Sequence, residues 1–156
     1  MYGVSRIQSE QDIMMLTFTE VDSGKALVKA LDAFAKNEIV VDMICQSAPR
    51  AHTLDFSFTT SCRYFDAAMQ TLAQLKSESA AVPLISRGYS KVNLFGEEMV
   101  TSCGVAARAL SALSEAGIDI VLITTSDLDI SLLVREENED SALLALHEAF
   151  GLESAM

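Results

Sequence analysis

Apolar residues along this chain fall into two rhythms, one of period two and one of period 3.6, and their order outlines a fold. Asp12-Ile13-Met14-Met15-Leu16-Thr17-Phe18-Thr19 is dense in bulky and β-branched residues and predicts a strand. Asp22-Ser23-Gly24 follows as a turn whose polar side chains can cap a helix. Ala26, Leu27, Ala30, Leu31 and Phe34 then share one helical face, with Lys25, Lys29, Asp32 and Lys36 off it. Asn37-Glu38 closes the helix, and the apolar run Ile39 to Cys45 predicts a buried strand. After the break at Ala48-Pro49-Arg50-Ala51, Leu54, Phe56 and Phe58 alternate with Thr53, Asp55 and Ser57 as a half-buried strand. A second helix carries Phe65, Ala68, Met69, Leu72 and Leu75 on one face.

The same order then returns. Lys91 to Phe95 predicts a strand, and Ser102 a cap for a helix bearing Val105, Ala106, Ala109, Leu110 and Leu113. Ala116-Gly117 stands where a helix ends on glycine. Ile118 to Thr124 is the counterpart of the buried strand, and Leu128, Ile130, Leu132 and Val134 alternate as the next one. Asn138-Glu139-Asp140 introduces a last helix lined by Leu143, Leu146 and Phe150. Ile39 answers to Ile118, an offset of 79 residues (118 − 39), and the same offset relates Leu31 to Leu110, Ala30 to Ala109 and Ile13 to Val92. A repeat of that length is a whole small unit rather than a solenoid turn.

Val82-Pro83-Leu84-Ile85-Ser86 offers the first copy a fourth strand, completing β-α-β-β-α-β. Too few residues follow the last helix for an equivalent strand, whereas Val4-Ser5-Arg6-Ile7-Gln8 precedes the first copy much as Ile85-Ser86-Arg87 precedes the second. The expected division is therefore a first unit over 9–88, with its fourth strand at about 82–87, and a second over 89–156, completed by segment 3–8. This order is the α+β, ferredoxin-like sandwich: an antiparallel sheet with two helices on one face. Two such units side by side, and then two chains as a homodimer, would cover the open faces and edges.

Half of the 156 residues are apolar, enough for a core in each copy. No apolar run reaches membrane-spanning length and the N-terminus lacks a signal-peptide pattern, so a cytoplasmic protein is expected. A net charge of −11 sets the chain against polyanions and makes nucleic acid a poor partner. Cys45, Cys62 and Cys103 have no C-x-x-C spacing and are odd in number, and Cys45 reads as a small core residue. His52 and His147 stand too far apart to argue for a metal. No nucleophile elbow, phosphate loop, dinucleotide fingerprint or metalloprotease motif occurs, so no catalytic residue, metal or cofactor is expected.

The loops before the first helix of each copy remain: Val21-Asp22-Ser23-Gly24-Lys25-Ala26 and Gly96 to Val105. Backbone N–H groups at a helix start suit a carboxylate, and a neighbouring side-chain oxygen suits an ammonium, so a free amino acid fits such a place. On the plainer reading, Asp22 and Ser102 are only helix caps.

Three stretches resemble a known family. Gly104-Val105-Ala106-Ala107-Arg108, then Ala112 to Ile120, then Ile123-Thr124-Thr125-Ser126-Asp127-Leu128-Asp129-Ile130-Ser131 closely resemble the second ACT unit of aspartokinases. Ala145 to Leu152 is similar to the end of those enzymes, and Ile39 to Gln46 resembles their first ACT unit. Nothing here resembles the kinase domain. The resemblance therefore implies the regulatory part alone, as in a separate regulatory subunit whose associated activity is aspartate kinase. It implies feedback control of aspartate-family amino acid biosynthesis by lysine or threonine, and a possible catalytic-chain partner. Effectors in that family lie between the first ACT unit of one chain and the second of its partner. Carried over, the contacts are Asp22, Gly24, Lys25, Ala26 and Gln46 from the first unit, with Asp119 and Ile120 from the second. A second pocket, resembling the loop of lysine-sensitive members, involves Met99, Ser102, Gly104, Thr125 and Ser126.

The chain departs from the family pattern at several of these places. Asp22-Ser23-Gly24-Lys25 replaces the usual Asp-Arg-Pro-Gly, Asp119 stands for asparagine, and Ser47 replaces an asparagine after Gln46. Val121 and Asp129 stand where an acidic and a basic residue are common. Two readings stay open: an amino-acid-sensing regulatory module, and a structural or protein-interaction module of the same fold that binds no ligand.

Overall fold

The computed structural model describes residues 2–22, 24–78 and 82–153. Ser23, in the turn expected before the first helix, and the tail from Ser154 lie outside them. The chain divides into two compact units, Asp12–Gly88 and Tyr89–Met156 together with Met1–Gln11. Both divisions fall on left-handed backbone, at Asp12 (φ 57°) and Gly88 (φ 85°). Glycine and aspartate are among the residues that tolerate this conformation best.

In the first unit, β1 (Arg6–Val21) supplies its residues from Asp12 onward. It is followed by α1 (Lys25–Lys36), β2 (Ile44–Gln46), β3 (Leu54–Ser61), α2 (Phe65–Glu78) and the start of β4 (Leu84–Phe95). The strand order is β2-β3-β1-β4. β3 lies antiparallel to β1 from Ile13↔Ser61 to Val21↔Leu54, with a register irregularity between Phe18 and Val21. Met14, Leu16 and Phe18 of β1 meet Phe56 and Phe58 of β3 beneath Ala30 and Phe34 of α1 and Ala68 of α2. Phe18 stacks on Phe56 at 4.5 Å, and Phe34 meets Phe58 edge-on at 5.1 Å. Both are favoured aromatic geometries.

The second unit contains the end of β4, α3 (Val105–Glu115), β5 (Leu122–Thr125), β6 (Asp129–Arg135) and α4 (Glu139–Phe150). Its order is β5-β6-β4-β1, the first unit's pattern over again. Val92 and Leu94 of β4 and Ile130, Leu132 and Val134 of β6 face Ala109 and Leu113 of α3 and Ala142, Leu146 and Phe150 of α4. Val4 is fully buried in this core, and Ile7 packs against it. Ser5 donates its N–H to the Phe95 carbonyl at 2.8 Å, and Arg108 lies 3.8 Å from the Tyr2 ring centroid.

Several expectations are corrected. The strands expected at Asp12–Thr19 and at the N-terminal segment are one strand, and those at 82–86 and 91–95 are another. No helix or proline intervenes in either, and isolated left-handed residues interrupt an extended chain without ending it. The apolar runs Ile39–Cys45 and Ile118–Thr124 are not buried strands along their length, since β2 and β5 cover only their ends. Ile39 and Met43 turn inward while Val40 is 61% exposed. A short apolar run does not by itself reveal how many faces are covered, and here it leads to an edge strand. Cys45 is accordingly half-buried rather than a core residue, though burial still pushes its thiol pKa up. Leu128 is exposed, and β6 begins one residue later.

The 79-residue offset holds for the buried pairs Ala30/Ala109, Phe34/Leu113 and Ile39/Ile118. It fails in the first strand, where Met14 rather than Ile13 shares the helix-covered core. A slip of one residue in a strand exchanges its faces.

Candidate functional site

Five candidate residues of the first unit gather at one end of its sheet. Gln46 ends β2 opposite Phe56, and Phe56 in turn lies opposite Phe18 near the end of β1. Two strand spacings, about 10 Å, therefore separate Gln46 from β1 just before the chain turns through Asp22 to α1. Gly24 takes the N-cap position, Lys25 and Ala26 open the helix, and Val28 N–H bonds the Gly24 carbonyl at 3.1 Å. Asp22 is not the N-cap, contrary to the plain expectation, and the first turn of α1 holds no acidic residue. Asp22, Gly24, Lys25 and Gln46 are exposed, and Ala26 is half-buried. An open cleft of about 360 Å³ lies beside them, lined by Glu20, Ser47, Arg50, Thr53, Leu54 and Asp55.

Asp119 and Ile120, in the second unit, connect α3 to β5. Asp119 is exposed, whereas Ile120 packs partly against the second core. The other candidate pocket is more heavily engaged within its own unit. Met99 packs on the core, and Ser102 is half-buried against Gly3, where an added Cβ would come within 3.1 Å of its side chain. Ser102 does not cap α3: Gly104 does so in left-handed backbone (φ 79°), a role suited to glycine. Thr125 and Ser126 are exposed at the end of β5. The Ser126 hydroxyl accepts N–H bonds from Leu128 and Asp129 and donates to Asp129 Oδ1, so it holds the β5–β6 turn.

Two polar groups beyond the sequence reading emerge in the second unit. Asp129 also receives Asn93 Nδ2 at 2.9 Å. The hydroxyl of Ser126, then the amide of Asn93, lower its pKa against a desolvation cost, with Lys91 adding to the effect. Lys91, Asn93 and Asp129 border an open cleft of about 640 Å³, where Asn93 already bonds Asp129 and Ser131. Glu139, only 5% exposed, opens α4. Burial alone would raise its pKa, but hydrogen bonds from Ser9, Gln11 and Ser90 outweigh that and hold it low. Gln11 Nε2 reaches Oε2 at 2.8 Å and Ser90 Oγ reaches it at 3.1 Å. An acidic residue in a first helical turn is legible in sequence; its partner 128 residues away is not. Among the described residues no group of three or more His, Cys, Asp or Glu side chains could hold a metal. No described helix is long and apolar enough to cross a membrane.

Comparison with known proteins places the fold. Residues 92–150 match the family described as ACT domain. The aspartokinase of Mycolicibacterium smegmatis is 35% identical over 153 residues, covering 96% of this chain and 36% of that protein. The chain thus spans about 36% of the length of such curated relatives. Among solved structures, the regulatory subunit of aspartate kinase from Thermus thermophilus, in its ligand-free form, superposes with a TM-score of 0.87 and 26% identity, over 95% of this chain and 99% of that one. A chain from the structure of aspartokinase alpha and beta subunits gives 0.84 and 31%, over 96% and 99%.

Proposed function

We propose a regulatory role from one premise: the chain belongs to the ACT-domain regulatory family of the aspartokinases. On this reading it is an amino-acid-binding allosteric module with lysine or threonine as its effector. It works as a homodimer and acts on an aspartokinase catalytic chain. The observation that carries the reading is the end-to-end match, at 31% identity, to a chain of the alpha and beta subunit structure.

Effector contacts come from Asp22, Gly24, Lys25, Ala26 and Gln46 of one copy, facing Asp119 and Ile120 of another. Two features support the first set. The residues converge at one sheet end, and the first turn of α1 holds no acidic residue to compete for an incoming carboxylate. Met99, Ser102, Gly104, Thr125 and Ser126 form a second candidate pocket, less favoured because Ser126 is already committed to its turn. Binding between two copies would tie occupancy to their arrangement, the two-state element that allosteric coupling requires.

A thermal-shift screen of the twenty amino acids against the full chain tests this. An effector at a hundredfold excess over its dissociation constant stabilises by about 2.7 kcal/mol, a melting shift of several degrees at this size. A flat response to lysine, threonine and methionine would leave the structural interaction module as the function.

A further inference from the structure

We propose that Asp55 is a positioning residue for the first unit's effector loops, fastening the strand end that carries Gln46 to the bend that leads into Asp22 and Gly24. The proposal rests on the reading above of those residues as effector contacts. Ser47, the neighbour of Gln46, donates its N–H to the Asp55 carbonyl at 2.8 Å, and Asp55 N–H returns a bond to Ser47 Oγ at 2.9 Å. The Asp55 carboxylate then reaches the other way: Oδ1 accepts the Glu20 N–H at 2.7 Å. One residue thus holds both segments.

The bond from Glu20 falls where the ladder gives way. Glu20 has left-handed backbone (φ 51°), and it lies in the register irregularity between Phe18 and Val21. A non-glycine residue in that conformation persists only when its surroundings hold it there. A short bond to a charged acceptor is the strong kind that does so. Glu20 is two residues before Asp22 and four before Gly24, so its conformation sets where the bend aims.

The other unit supplies an internal comparison. Ser126 and Asp129 make the same backbone pair at the base of the β5–β6 turn, with Ser126 N–H on the Asp129 carbonyl at 2.8 Å and Asp129 N–H on Ser126 Oγ at 3.2 Å. That carboxylate, however, bonds Ser126 Oγ and Asn93 Nδ2. The loop before α3 is instead joined through Gly96 N–H to the Leu128 carbonyl at 3.0 Å. The serine–aspartate base serves both turns, whereas the reach of the carboxylate to the pre-helix bend belongs to Asp55.

The test uses the full chain, with lysine and threonine as calorimetric probes, on the wild type, Asp55→Ala and Asp55→Asn. Amide exchange of the ligand-free proteins provides a second readout. Asp55→Ala should weaken the amino acid bound by the wild type by about tenfold, the loss of one bond to a charged group. Exchange should quicken at Glu20–Asp22, while Ser47, whose bonds are to the Asp55 backbone, and the Phe34 and Phe56 core stay protected. Asp55→Asn retains the Oδ1 acceptor without its charge and should recover part of the affinity, in step with renewed protection at Glu20–Asp22. Equal affinity in Asp55→Ala, or unchanged exchange at Glu20–Asp22, would overturn the proposal. A wild type that binds neither amino acid would end the effector reading and the assignment of Asp55 to it. Quickened exchange in that case would identify Asp55 as a brace of the bend alone.

Discussion

Glu139→Gln isolates the charge of a buried carboxylate while keeping its size. The wild-type oxygens gather Gln11 Nε2 at 2.8 Å and Ser90 Oγ at 3.1 Å, with Ser9 as a third donor, at the first turn of α4. Bonds to a charged group contribute about 1.5–3 kcal/mol each when deleted singly, and deletions around one acceptor do not add. A carboxylate in a first helical turn contributes about 0.3–1 kcal/mol more. The glutamine retains one acceptor oxygen but turns an NH₂ toward a ring of donors. A loss of about 2–4 kcal/mol at pH 7 is expected. At about 2–4 °C per kcal/mol for a chain of this size, the melting temperature should fall by about 4–16 °C.

The pH dependence carries a sign. The folded pKa of Glu139 lies below its ordinary value of 4.5, so folding favours the ionised form. Its stabilisation is complete above that value and drains away as pH falls through the folded pKa. Melting curves of wild type and Glu139→Gln should therefore stand apart at pH 7 and draw together as pH falls below the ordinary value of 4.5. Equal stability at pH 7, or a gap that stays constant down to pH 3, would refute the reasoning.

The other predictions concern the N-terminal segment and the effector loop. Gly96→Ala would place a Cβ 1.8 Å from the Gly3 carbonyl oxygen, so the segment must move away; a loss of at least about 2–3 kcal/mol, with faster exchange at the Ser5 amide, is expected. Its φ of −170° is ordinary extended backbone, so the cost comes from the close approach. Deleting residues 1–8 removes Val4 and Ile7 from the second core, worth about 3–5 kcal/mol together; exchange protection should fall across Tyr89–Phe150 and persist around Phe34 and Phe56. Gln46→Ala and Asp22→Ala alter exposed residues, so stability should stay within about 0.5 kcal/mol of wild type while affinity for the effector drops. Unchanged affinity in both would displace the pocket.

Much of this architecture was legible from local pattern. The helical faces through Ala30 and Phe34, and through Ala109 and Leu113, read directly because a period of 3.6 over ten or more residues has few rivals. The alternation of Leu54, Phe56 and Phe58 predicted the inward face of β3 for the same kind of reason. The repeat and the ACT-like stretches followed from residues near one another in the chain.

The remainder depended on contacts between distant residues. That two expected strands are one β4, and that Ile13 faces away from the core shared by Met14, is set by which strand lies alongside, not by the composition of either. Asp55 looked like one more outward polar residue until the backbone of Glu20, 35 residues earlier, arrived at its carboxylate. Gly24 and Gly104, rather than Asp22 and Ser102, take the two N-cap positions. Periodicity is a property of neighbouring residues and survives in a linear string. Register, close approach and hydrogen bonding across 35 or 128 residues exist only once the chain has closed on itself.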